Sequence, residues 1–168
     1  MRTKDGSTRG AGAPAKTAPA KAENRRLALS RAGSAHGCVD GAWWPTSANL
    51  GSELPDLVAV FSRWIGSIHR VVYDPVLWTT APSRLIKHGS AISVDPYRMV
   101  HRETIGLMGT HSRTAILFVV APAAPAVIAH KMLDLVECSA EPVAAAALLQ
   151  RYAELSAEAM ALQRCDDR

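Results

Sequence analysis

A chain of 168 residues has room for one domain around a single core and argues against a multidomain assembly. Its 19 Lys and Arg against 15 Asp and Glu give a net +4, yet seven basic residues against Asp5 and Glu23 fall in 1–26, so residues 27–168 carry −1. That distribution argues against a nucleic-acid surface on the body of the protein, and three widely spaced cysteines, 38, 138 and 165, offer neither a disulfide framework nor paired zinc spacing.

Residues 1–25 are rich in Ala, Gly, Ser, Thr, Pro and Lys and contain no aromatic residue. Too little apolar area is available there to offset the entropy of ordering, so a disordered basic tail is expected. It lacks the continuous apolar stretch of about 7–15 residues that a secretory signal needs. The longest apolar run, 115–129, is broken by Pro122 and Pro125 and falls short of the roughly 20 residues that cross a bilayer. The expectation is a cytoplasmic protein with reduced thiols and no membrane span.

Leu27-Ala28-Leu29 alternates as a short strand does, which starts the folded part near residue 26. Two of the four tryptophans, Trp43 and Trp44, follow the Asp40-Gly41 turn signal. In extended backbone adjacent side chains point to opposite faces, so one indole is expected in the core and the other against a helix or solvent. Thr46 or Ser47 could cap the next helix, whose face repeats at Leu50, Leu54, Leu57, Val58 and Phe61. Pro55 inside this pattern implies either a kink or a fresh start capped by Ser52.

After Gly66, residues 68–73 are rich in β-branched residues and read as a strand. A loop with Pro75 and Pro82 follows, then a hairpin in which 84–87 and 91–94 flank His88-Gly89-Ser90. Residues 102–108 alternate, 109–112 turn, and 113–120 return as the most apolar strand, read as central and covered on both faces. The whole reads as an antiparallel meander. Beyond Pro125 a helix is expected to about Glu137, and a last Ala-rich helix to Gln163 with Pro142 in its first turn. The fold class is therefore α+β: a mostly antiparallel sheet of about five to six strands with helices packed on it. The tail covers 1–25, the domain 26–137 and the C-terminal helix 138–168.

Sites are weighed against plainer readings. No nucleophile elbow, phosphate loop or dinucleotide fingerprint is present, so no catalytic residue, cofactor or metal is assigned. The six histidines form no His-x-x-x-His or His-x-His pair, and a metal set of His69, His101 and a carboxylate such as Glu103 or Asp74 would have to be assembled by folding. Asp40 before Gly41 reads first as a turn residue. The leading expectation is a non-enzymatic binding or regulatory module that engages a protein partner or small ligand near the Trp-Trp-Pro segment, with Asp40, Trp43, Trp44, Arg84 and Arg98 as contacts. The alternatives are a small enzyme with a pocket of Asp40, His69, Arg84, Arg98 and His101, and weak, salt-sensitive nucleic-acid binding through the basic tail.

The run Gly37-x-Val39-Asp40-Gly41-Ala42-Trp43-Trp44-Pro45 is followed by Leu50, Glu53-Leu54-Pro55, Arg70-Val71-x-Tyr73 and Trp78-x-x-Ala81-Pro82-x-Arg84. With Gly89, Tyr97-Arg98, Thr104, Gly109 and the strand ending at Pro122, it resembles an actinobacterial family of uncharacterised proteins, a domain-of-unknown-function family, over roughly residues 26–136. The resemblance implies one folded unit and no particular reaction. Cys38 stands where that family has an aromatic residue, and Thr46 where a basic residue follows the proline. If the basic residue binds an anion in relatives, this member has lost or weakened the contact.

Overall fold

The computed structural model describes residues 25–166, so the tail expected over 1–25 lies outside the described residues except for Arg25. Strand β1 (Leu27–Leu29) pairs antiparallel with β3 (Gly41–Trp43), and between them β2 (Cys38–Val39) leaves the main sheet. Helix α1 (Leu50–Ile65) follows. Its spacing buries Leu50, Leu54, Leu57, Val58, Phe61 and Ile65 along one face, each contributing about 2 kcal/mol of apolar burial.

The cap of α1 is Asn49, whose side-chain oxygen accepts the Gly51 N–H at 3.1 Å. Thr46 and Ser47, the expected caps, instead donate to the Glu53 carboxylate in the first turn. The helix runs unbroken through Pro55, so Ser52 starts no new helix. The Pro55 carbonyl accepts the Lys87 ammonium at 2.5 Å, which ties α1 to the neighbouring hairpin.

That hairpin is β5 (Arg84–Lys87) and β6 (Ser90–Pro96). Its turn residues His88 and Gly89 both have positive φ, 49° and 77°, the backbone that matches the twist of a two-residue hairpin. Strand β4 (Arg70–Tyr73) precedes it, and β7 (Thr104–Met108) and β8 (Thr114–Val119) follow. Helix α2 (Ala126–Cys138), β9 (Val143–Ala144) and α3 (Ala145–Asp166) close the chain. Pro142 does not open a helix. It precedes β9, which pairs antiparallel with β2, and α3 begins only at Ala145.

The main sheet has seven strands in the order β1-β3-β8-β7-β4-β6-β5. This exceeds the expected five to six by the short β3, whose three residues beside a turn signal carry too little alternation to be counted from periodicity. It is mostly antiparallel, but β3 pairs parallel with β8 and β4 parallel with β6. The expected meander therefore holds only for β5–β6 and β7–β8. Periodicity fixes which residues face inward and leaves the neighbours open. Strand β4, with Val71, Val72 and Tyr73 buried in succession, takes an interior position between β7 and β6, while β5, carrying Arg84 and Lys87, takes the edge.

Two cores result. On one face α1 packs with Trp43, Val71, Ile105, Leu107 and Leu117. On the other, α2 and the first half of α3 pack with Ala42, Trp44, Phe118 and Val120. Helix α2 lies mainly over β1 and β3, and the short β2–β9 ladder carries the cover to β8. Among the described residues no helix packs extensively on this second face beyond β8, and Arg70, Arg84 and Thr114 are exposed there.

Candidate functional site

Backbone alternation sends Trp43 and Trp44 to opposite faces. Trp43 is 5% exposed and lies 5.6 Å from Trp78 in the α1 core, the planes inclined by 31°. Trp44 is 6% exposed, edge-on to His130 at 5.5 Å, with the Arg26 guanidinium 3.8 Å above its ring centroid. Its Nε1 and the His130 Nε2 are buried without a hydrogen-bond partner among the described residues. Neither indole offers an open face on which a ligand could stack.

Asp40 is bound on both oxygens: Ser34 Oγ donates to one and the Ile116 N–H to the other at 2.8 Å. The Asp40 N–H in turn donates to the Ile116 carbonyl at 2.7 Å. The side chain thus extends the parallel β3–β8 ladder ahead of its first residue, Gly41. Arg84 is exposed on the edge strand β5, and Arg98 lies in the β6–β7 loop.

The polar groups considered for an enzyme are dispersed. Asp40 lines a cavity with Ser30 and Trp64, His69 one with the β7–β8 turn, Arg98 one with Asp74, and His101 one with His36. Arg84 lines none of these four. Among the described residues no group of three His, Cys, Asp or Glu side chains is close enough to hold a metal ion, so His69, His101 and Glu103 or Asp74 do not assemble as a ligand set.

Among the described residues a largely apolar cavity of about 400 Å³ lies where the helical cover of the second face stops. Its walls are His36 to Val39 leading into and forming β2, Ile116 from β8, Thr104 from β7, Ala145 from the start of α3, and Tyr97 and Met99 to His101 from the β6–β7 loop. Among the described residues no carboxylate lines it. Ile116 lies on the same side as Phe118, but it sits one pair further along β8, past the edge of α2, and is left 37% exposed. Tyr97 at 64% and Val100 at 94% exposure extend the apolar surface outward.

Sequence reasoning missed this cavity, because its residues come from five separate segments. One signal was available: Tyr97, Met99 and Val100 place apolar side chains in a loop, where polar residues are the rule. On the far side of Tyr97 a smaller cavity of about 210 Å³ is lined by Asp74, Arg98 and Arg102. The Asp74 carboxylate is buried and accepts the N–H groups of Val76 and Met99 at 3.1 and 3.3 Å, which fixes the loop to the end of β4.

Two carboxyls have shifted protonation. Burial pushes Glu53 up, but the side-chain and backbone donors of Thr46 and Ser47 outweigh it and hold the group below the usual carboxylate range. For Asp95 the Ser93 hydroxyl lowers the value, slight desolvation opposes it, and Arg70 at 2.7 Å lowers it further.

Fold and site together define a mixed α+β domain, with helices on both faces of a largely antiparallel sheet and an apolar cavity at the limit of their cover. Residues 26–136 match the model of the Family of unknown function (DUF5994), and the chain belongs to that family. The matched span contains the Gly37 to Pro45 run. No curated protein and no solved structure shows significant similarity to the chain. No helix among the described residues is long and apolar enough to cross a membrane.

Proposed function

We propose that this protein is a non-enzymatic, cytoplasmic binding module that takes a small, largely apolar ligand. The ligand sits in the cavity beside the segment leading into the Trp-Trp-Pro element. One observation carries this reading: about 400 Å³ of concave space walled by Val39, Met99, Val100 and Ile116, with His36, His101 and Thr104 as the few polar groups. That is the size and lining of small-molecule sites, which are mostly apolar with a few orienting polar groups.

On this reading Trp43 and Trp44 act indirectly. They anchor β3 in both cores and so hold the His36–Val39 wall, without touching the ligand. Asp40 does the same from its bond to the Ile116 N–H, since that bond sets the strand from which Ile116 enters the cavity. Arg84 has no part in the site, and Arg98 borders it.

The test is titration of the purified protein with the neutral dye Nile red, comparing wild type with Ile116→Arg. The substituted position is partly exposed, so the variant should fold, and an unchanged thermal melt confirms it. Wild type should bind the dye, and the variant should bind at least about tenfold more weakly, since a desolvated charge opposes an apolar ligand. Equal binding by the two folded proteins, or none by wild type, removes the proposal.

A further inference from the structure

The apolar cavity and the smaller arginine-lined cavity share Tyr97, whose ring is exposed between them. They are also joined mechanically, because Met99, a wall of the first, donates its N–H to Asp74, the floor of the second. Among the described residues neither Arg98 nor Arg102 is ion-paired with a carboxylate. Asp74 does not neutralise them both: it is a single carboxylate, and each of its oxygens already accepts a backbone N–H. Among the described residues, two guanidiniums against one committed carboxylate in the smaller cavity leave a net positive charge beside an apolar cavity with no acidic wall residue. A guanidinium presents several donors in a planar fork suited to a carboxylate or similar anion.

We infer that the ligand is a small amphipathic anion, its apolar body in the cavity lined by Val39, Met99 and Ile116 and its anionic head reaching across Tyr97 to Arg98 and Arg102. The inference rests on the binding function proposed above and specifies its ligand class. Aliphatic carboxylates of the fatty-acid type fit this division. The apolar part gains from leaving water, and the head keeps partial solvation at a half-open site, where a charge-assisted bond is favourable without the full desolvation cost of deep burial. Tyr97, exposed between the two cavities, offers the ligand an apolar ring face and a polar hydroxyl.

The experiment uses octanoate and octanol, which share a chain and differ in head group. Each is titrated calorimetrically, below its self-association concentration, into the full chain and into the doubly substituted Arg98→Gln/Arg102→Gln protein. Wild type should bind octanoate about tenfold more tightly than octanol, and the double variant should lose that preference while melting at the wild-type temperature. Raising the salt concentration should narrow the wild-type preference.

Equal affinities in wild type, or a preference that survives in the variant, overturn the anionic-head assignment and leave the apolar site standing. Failure of both probes to bind overturns the site as well. A parallel arm uses sedimentation with vesicles of anionic phospholipid. Retention there without binding of monomeric octanoate also overturns the inference, and points to a membrane surface in place of a soluble ligand.

Discussion

Trp43 and Trp44 share a peptide bond yet pack in different cores, Trp43 against Trp78 on the α1 side of the sheet and Trp44 against His130 on the α2 side. The pair therefore rivets both layers to one strand. The Trp43 carbonyl accepts the Val120 N–H at 2.8 Å and the Trp44 N–H donates to the Arg26 carbonyl at 2.7 Å, so the backbone between them is held from both sides.

Because the two indoles share no packing partner, their energetic effects should be independent. Trp43→Phe and Trp44→Phe should each destabilise the fold by about 1–2 kcal/mol. The double variant should show the sum to within about 0.5 kcal/mol. Urea unfolding of the four proteins checks this; a larger coupling would mean that the two cores communicate through the strand.

Asp40 supplies an acceptor that no strand residue provides. Asp40→Ala should leave the Ile116 N–H without its partner and cost about 1–2 kcal/mol. Amide hydrogen exchange localises the effect: Ile116 should exchange at least about tenfold faster in the variant, while the β7–β8 pairs on the other edge of the strand keep their protection.

Gly109 sits where the β7–β8 turn meets the end of α1. A Cβ there would lie 2.1 Å from the Ile65 carbonyl oxygen, which also accepts the Thr110 N–H. Gly109→Ala should destabilise by more than about 2 kcal/mol, since backbone on both sides must move. Gly33, with nothing within 4 Å of an added Cβ, is the control, and Gly33→Ala should shift the melting temperature little in either direction.

Glu53 links stability to pH. Its carboxyl is lowered in the folded state, so the ionised form is favoured by folding; that stability is present above the unfolded carboxylate range and is lost as pH falls through the lower folded value. Glu53→Gln should cost about 1 kcal/mol at neutral pH, a figure reduced for partial solvent exposure. The difference between the two proteins should shrink on acidification below the usual glutamate range. Chemical denaturation at neutral and acid pH checks the sign, and a gap that widens in acid would contradict it.

Much of the architecture is local and was legible in the chain. The face of α1 follows from its three- and four-residue spacing, the β5–β6 turn from His88-Gly89, and the division of β7 into Ile105 and Leu107 on one face and Thr104, Gly106 and Met108 on the other from the alternation of 104–108. The separation of Trp43 from Trp44 follows from period-two geometry alone. The caps were less legible, because Thr46, Ser47 and Asn49 all have capping side chains, and only the path of the loop decides that Asn49 meets the Gly51 N–H while the other two serve Glu53.

The sequence by itself determined most element types, the buried face of α1 and the charge difference between residues 1–26 and the rest, since each depends on neighbours a few residues apart. Tertiary structure alone decided the strand order, with β4 between β7 and β6, and the meeting of Val39, Tyr97, Met99 and Ile116 around one cavity. Those outcomes depend on which nonlocal pairings bury the most surface and on where α2 runs out over the sheet. No residue spacing encodes either.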